Sequence, residues 1–328
     1  MPTVSVVIAA YNAAWCIGRA LDSLLAQTRV PDEVLVCDDG STDGTADLIE
    51  RGYSAPIRVL RLPHKNASAA RNEGLKIATG DWLAFMDADD RWFPEKLERQ
   101  LDYIARHPEI RLVTSDGIYE KADEVIRESW LSDYFDPVTE MVGDLAPTVL
   151  ERCYPLLSAT MVERNAYHAI GGIDTHYTHC YDYDLWLGVL SRFPGGVMPD
   201  RLVGYFWSAG ALSRNNEARN RDDLRLMRKI ENGERADLRR RAAERAASLE
   251  YEIGLICLRG GRYEEARACM RRALAKGPPL RRAMAVAGAI LPGWAAGPLM
   301  RSKWLKRGVA RSREVRDVLL NRDGGSAA

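Results

Sequence analysis

Four short apolar runs, each followed by a polar turn and separated by stretches of helical periodicity, constrain this chain most. Val4-Ser-Val-Val-Ile8 leads into Ala9-Ala-Tyr11-Asn12 and then a helical pattern through Ile17, Leu21, Leu24 and Leu25. Val34-Leu-Val-Cys37 runs into Asp38-Asp39-Gly40-Ser41-Thr42-Asp43-Gly44-Thr45, and Ile57 to Leu62 alternates as a third strand. Ser68 to Ile77 reads as a helix before a fourth run, Trp82-Leu-Ala-Phe-Met86, reaches Asp87. Short apolar strands alternating with helices predict an α/β fold with a mainly parallel sheet, whose ligands gather at the strands' carboxyl ends. Tyr11, Asp39 and Asp87 all fall at such ends.

The fourth run delivers two acidic side chains, Asp87 and Asp89, spaced i, i+2. Carboxylate oxygens are hard ligands suited to Mg²⁺ or Mn²⁺, ions that keep coordination places for phosphate oxygens. Asp-x-Asp also occurs in solvated loops, so the spacing alone leaves both readings open. Asp90 precedes Arg91-Trp92-Phe93-Pro94-Glu95, and because Pro suits a first helical position it is expected at a helix start. Asp43 and Thr45 read as an Asx turn opening the next helix.

Several motifs in order resemble glycosyltransferase family 2, the inverting sugar transferases of GT-A fold. They are Val6-Val-Ile-Ala-Ala-Tyr-Asn12, Gln27-Thr28, Glu33-Val-Leu-Val-Cys-Asp-Asp-Gly-Ser-Thr-Asp-Gly-Thr45, Ala70-Arg-Asn72, Ala78-Thr-Gly-Asp81, Phe85-Met-Asp-Ala-Asp-Asp90 and Asp182-Tyr-Asp-Leu-Trp186. The match covers roughly Pro2 to Ser213. It implies a GT-A type nucleotide-sugar-binding domain over residues 1–213, in which Ala9, Tyr11, Asp39, Arg71 and Asp87 meet the donor. Tyr11 would stack on the base, against the alternative of an aromatic plugging the core. Asp39 would accept from N3–H of uracil, against that of a turn residue. Arg71 would approach phosphate, against a surface salt bridge. The resemblance further implies that Asp89 is the direct metal ligand, with Asp87 holding the ribose or a metal-bound water. It makes Asp182 the base that takes the acceptor's proton, where a helix cap is the alternative and Asp184 fits capping equally well.

The chain departs from the family pattern in four places. Asn66 stands where a Gly is usual and is expected to keep the loop's left-handed backbone. Tyr181 replaces the Glu that precedes the base. Tyr205-Phe206-Trp207-Ser208 lacks the usual Arg and His, and Gly188 stands near the place of an Arg. His176 and His179 suggest a metal pair only superficially, since no Cys or acidic cluster completes a site. Trp186, Tyr205 and Trp207 can stack a sugar or simply fill the core.

Composition adds location and organisation. Six scattered cysteines lack a framework spacing, which predicts reduced thiols, and the N-terminal apolar stretch lacks a basic region, so a cytoplasmic enzyme is expected. Net charge is zero by cancellation: residues 1–213 carry 19 Lys and Arg against 32 Asp and Glu, while 214–328 carry 27 against 14. An acidic catalytic part is therefore expected before a basic, largely helical extension, and nucleic acid is an unsuitable partner. Within that extension, about 249–278 resembles one tetratricopeptide-type hairpin. The apolar segment 283–300, flanked by Arg and Lys, suits peripheral contact with the inner face of an anionic membrane or burial against its neighbours.

These readings predict a Mn²⁺- or Mg²⁺-dependent transfer of one sugar from a UDP-sugar to a glycan or lipid-linked acceptor, as in cell-surface polysaccharide biosynthesis. A nucleotidyltransferase and a non-catalytic nucleotide-sugar scaffold are the alternatives. The only glutamines are Gln27 and Gln100, and neither begins the Gln-x-x-Arg-Trp motif of processive synthases. The stretch Glu120 to Glu151, with little periodicity, is expected to form acceptor-facing loops.

Overall fold

The computed structural model describes residues 1–121, 124–207 and 216–276. The chain divides into two compact units, Met1–Ala242 and Ala243–Ala328. The first is built on strands β1 (Val4–Ala10), β2 (Glu33–Asp38), β3 (Ile57–Arg61), β4 (Trp82–Asp87), β5 (Arg91–Trp92), β6 (Leu112–Lys121), β7 (Glu124–Arg127), β8 (Met141–Gly143), β9 (Thr160–Glu163) and β10 (Gly195–Phe206). Its helices are α1 (Ile17–Leu25), α2 (Thr45–Gly52), α3 (Ala67–Ile77), α4 (Lys96–Arg106), α5 (Ala146–Glu151), α6 (Arg164–Ala169), α7 (Tyr181–Leu190) and α8 (Asn216–Glu231). The division between units falls inside α9 (Ala236–Arg259), which α10 (Tyr263–Lys276) follows.

All the strands join one sheet of order β3-β2-β1-β4-β9-β6-β10-β5, with β7 on β6 and β8 on β10. β3, β2, β1 and β4 run parallel, as do β6 and β10. β9 lies antiparallel between β4 and β6, so the mainly parallel sheet carries an antiparallel strand at its centre. Val4, Val6, Val7 and Ile8 of β1, Val34 to Cys37 of β2 and Leu83 to Met86 of β4 are all fully buried. Such continuous apolar runs, without alternation, are what a sheet covered on both faces requires.

Register aligns the strand ends that matter. Ala9 pairs with Cys37 on one side and with Asp87 on the other, and Ala10 pairs with Asp38. Whatever follows β1, β2 and β4 therefore emerges side by side along one edge.

At the opposite, amino-terminal ends of these strands the Ala78-Thr-Gly-Asp81 motif acts as a structural staple. Gly80 donates its N–H to Ser5 Oγ at 2.8 Å, Asp81 Oδ2 accepts from Thr3 N at 2.9 Å, and Glu33 Oε2 accepts from Thr79 N at 3.0 Å. A Cβ on Gly80 would lie 2.4 Å from Ser5 N and 2.9 Å from Val4 C, both backbone atoms that cannot swing aside. Gly80→Ala is expected to destabilise the first unit by about 1–3 kcal/mol through overpacking. A denaturant midpoint equal to that of the wild type would contradict this account.

Four expectations are corrected here. α4 begins at Lys96 after Glu95, so neither Pro94 nor Asp90 starts it. α3 begins at Ala67, and Asn66 is its N-cap with extended backbone (φ −174°, ψ 168°), accepting from Ala69 N at 2.8 Å. The position asks for a capping amide carbonyl, not for left-handed backbone. Asp184 caps nothing: both its carboxylate oxygens receive Lys229 Nζ of α8, at 2.8 and 2.9 Å. The stretch 120–151 holds β7, β8 and α5 with a single 3-10 turn, Leu131–Asp133, so it is far from being loop alone.

In the second unit, α9 and α10 pack through Tyr251, Leu255, Met270 and Ala273, and Arg272 holds Glu250 at 2.7 Å. The turn between them carries Gly261 at φ +74°. The apolar segment 283–300 and residues 211–215 of the charge break near Ala211 to Asn216 lie outside the described residues. Among the described residues, no helix is long and apolar enough to cross a membrane.

Candidate active site

Tyr11, Asp39 and Asp87 emerge from neighbouring parallel strands, and the polar turns behind β1 and β2 lock together. Asn12, at φ 48°, donates its N–H to Ser41 Oγ at 2.9 Å and accepts from Thr42 N at 2.9 Å. Asp43 Oδ1 accepts from Thr45 N at 3.0 Å, the expected Asx turn, and both residues also reach the β1–α1 loop: Thr45 Oγ1 receives Ala13 N and Asp43 Oδ2 receives Ala14 N. Fixing these turns presents Tyr11 outward. It is 50% exposed and so does not plug the core. Asp39 is buried, with its Oδ1 receiving Lys65 N at 2.8 Å. Ala9 is half-buried between the ends of β2 and β4, small enough to leave room above it.

A residue that sequence reasoning missed sits over Tyr11. The His64 ring stacks on it, centroids 4.3 Å apart and planes 21° from parallel. Nothing local in the sequence marks His64, because it follows β3 while Tyr11 follows β1.

The acidic turn after β4 splits into exposed and structural members. Asp87 and Asp89 are half-buried, whereas Asp90 is buried and fully engaged. Ser158 Oγ donates to Asp90 Oδ2 and accepts from Asp87 N, and Asp90 Oδ1 accepts from Phe206 N at 2.9 Å. Asp90 thus ties the turn to the end of β10 and to Ser158, which supplies its position without being a ligand. Arg19 Nη2 donates to the Asp89 carbonyl at 2.7 Å. Burial and the neighbouring charge of Asp87 push the Asp89 carboxyl up to about 6.

Arg71 is 1% exposed, inside the protein, which sets aside the alternative of a surface salt bridge. Nη2 donates to Asp87 Oδ1 at 2.9 Å, and Nη1 to the Tyr181 hydroxyl at 2.5 Å, the Tyr181 ring lying 5.4 Å from the guanidinium. Tyr181 therefore meets Arg71 Nη1 from the place where the family pattern has Glu, while the buried Nε has no partner. Removing this cation would leave Asp87 beside a buried void, a costly arrangement. Asp182 follows on the first turn of α7, where its Oδ1 accepts from Tyr183 N at 2.8 Å. Burial pushes its carboxyl up to about 6, with Asp87 adding to the effect and Arg71 opposing it. One chain of contacts thus runs from the Asp87 turn through Arg71 to the helix that carries Asp182.

The remaining sequence candidates take structural places. His176 pairs with Asp174 on the surface and His179 stands 3.3 Å from Asp222 of α8. Trp186 is fully buried against Phe85, and Tyr205 packs on Tyr119 and Trp130. A Cβ on Gly188 would meet Ile170 Cδ1 at 2.9 Å, so helix contact accounts for that residue. All six cysteines are free.

The donor set fits a hard divalent cation in one specific way. Among the described residues no three His, Cys, Asp or Glu side chains converge. Asp89 and Asp87 nevertheless bring two carboxylates close enough to raise the pKa of Asp89, a repulsion that a cation sharing both would relieve. Two carboxylates leave the other coordination places to phosphate oxygens and water, which is the manner of Mg²⁺ and Mn²⁺.

Comparison with known proteins agrees with this geometry. A family profile described as Glycosyl transferase family 2 matches residues 5–158. The chain is 33% identical over 193 residues to the UDP-Glc:alpha-D-GlcNAc-diphosphoundecaprenol beta-1,3-glucosyltransferase WfaP of Escherichia coli, the alignment covering 58% of this chain and 72% of that protein. It superposes with a TM-score of 0.65 on the crystal structure of S. aureus TarS 1-349 in complex with UDP-GlcNAc, at 16% identity and covering 88% of each chain. With the mannosyltransferase PcManGT from Pyrobaculum calidifontis, in complex with GDP-Man and Mn²⁺, the TM-score is 0.60 at 18% identity, covering 99% of this chain and 88% of that one. The two structural likenesses carry the fold.

Proposed function

The chain belongs to glycosyltransferase family 2, and on that premise we propose that it moves a single sugar, with inversion and with a divalent cation, from a UDP-sugar to a hydroxyl of a lipid-linked or other glycan acceptor. The observation that carries the reading is the alignment of Tyr11, Asp39, Asp87 and Asp89 along one edge of three parallel strands, with Asp182 joined to them through Arg71 and Tyr181. Tyr11 offers a flat exposed ring to a base and Asp39 an acceptor for its N–H. Asp87 and Asp89 are the residues that would hold Mn²⁺ or Mg²⁺, which when bound neutralises charge on the departing nucleoside diphosphate. Arg71 holds Asp87 in place and lends positive charge to the same region.

Asp182 is proposed to take the proton of the attacking hydroxyl. Its pKa near 6 leaves it ionised at neutral pH yet a stronger base than an ordinary carboxylate. The substrates for which WfaP is named and the UDP-GlcNAc, GDP-Man and Mn²⁺ of the two solved structures support the donor class, the cation and a lipid-linked acceptor. A place at the inner face of a membrane, through residues 283–300, belongs to the same proposal because such an acceptor is membrane-held.

A melting-shift panel tests the reading. UDP-sugars with Mn²⁺ are expected to raise Tm, since a ligand bound only by the folded state stabilises it by mass action. A rise with nucleoside triphosphates and none with any nucleotide sugar would overturn the reading.

A further inference from the structure

His64 occupies, within the protein, the place assigned above to the nucleobase, against Tyr11 and beside Asp39. Its ring lies on Tyr11 with centroids 4.3 Å apart. Its Nδ1 stands 3.0 Å from Asp39 Oδ2 and 3.0 Å from the Asp39 carbonyl oxygen. Both are acceptors, so Nδ1 carries the hydrogen, and it donates to the Asp39 carbonyl oxygen. A flat ring that presses an N–H toward this carboxylate is also what uracil offers through N3.

The burial of the partners explains why something must sit there. The Asp39 side chain is only 4% exposed while that of His64 is 54% exposed. A buried carboxylate needs its donors, and Lys65 N satisfies only Oδ1. His64 Nδ1 lies 3.0 Å from Oδ2, on a side chain that can leave by rotation alone. Its backbone need not follow, because Gly40, at φ +74°, packs against it: a Cβ there would meet His64 N at 2.9 Å.

We propose that His64 fills the nucleobase seat of the donor-free protein, and that a base must displace it to bind. His64 is then an internal competitor of the donor. Apparent affinity for any base is lowered by the fraction of molecules in which the seat is filled. The proposal rests on the assignment of Tyr11 and Asp39 to the base.

Calorimetric titration with UDP and with CDP, in the presence of Mn²⁺, tests it on the full chain. His64→Ala is expected to bind UDP about 3- to 10-fold more tightly than the wild type, the competing hydrogen bond and stack being gone. CDP, whose base meets the same internal competitor, is expected to gain by the same factor. UDP affinity that is unchanged or weaker in His64→Ala overturns the proposal, as does a gain for UDP that CDP does not share, which would mean that His64 reads the base and does not fill its seat. Tyr11→Ala and Asp39→Asn separate this from the underlying assignment. If both bind UDP as the wild type does, the base is seated elsewhere and the assignment itself fails.

Discussion

Replacing Asp182 by Asn is expected to lower sugar transfer by about 10²- to 10⁴-fold while leaving donor affinity within about twofold, because a positioned base contributes that much and the donor touches other residues. The substitution keeps the size of the side chain and its carbonyl oxygen, so Tyr183 N retains its acceptor and α7 its first turn. Burial holds the Asp182 carboxyl at about 6, above its ordinary value of 3.8. The ionised form is the base, so wild-type kcat/KM is expected to be flat above that value and to fall about tenfold per pH unit below it. At saturating Mn²⁺, where the cation keeps Asp89 ionised, this limb should vanish in Asp182→Asn. Turnover near the wild-type rate, or an acid limb that persists in the variant, would remove Asp182 from the role.

Asp89→Ala is expected to act at an earlier step, by abolishing cation-dependent donor binding. A cation at the departing diphosphate is worth several kcal/mol, so transfer should fall by about 100-fold or more. The fold should survive the change. Asp89 side-chain atoms anchor no other element among the described residues; the turn is held instead through the Asp89 carbonyl by Arg19 and through Asp90 by Ser158 and Phe206. Asp90→Ala should behave in the opposite way and lose stability first. A variant of Asp89 that keeps Mn²⁺-stimulated donor binding would move the cation elsewhere.

The strand ends were legible in the sequence because they depend on short-range pattern. Apolar runs of four or five residues followed by polar turns place Tyr11, Asp39 and Asp87, and a parallel sheet brings such ends together whatever the details of packing. Everything that depends on contacts distant in sequence was hidden. Arg71 lies 110 residues from Tyr181, and Ser158 lies 68 from Asp90. That Arg71 lies inside, 1% exposed, was among the hidden features: its place in the first turn of a helix left a surface salt bridge open beside the approach to phosphate. Asn66 misled for a different reason. Asn serves both left-handed backbone and N-caps, and here the free N–H groups of α3 decided between them. His64 carried no signal at all, since its partners, Tyr11 and Asp39, belong to two other strand ends.

The most direct measurement is calorimetric titration of UDP-sugars into the purified protein with Mn²⁺ and again with the cation chelated. The account predicts saturable binding that weakens by at least tenfold on chelation, and loss of that difference in Asp89→Ala. Equal affinity with and without the cation, or no uptake of any UDP-sugar, would contradict the claim that the acidic turn after β4 holds a divalent ion against a nucleotide diphosphate.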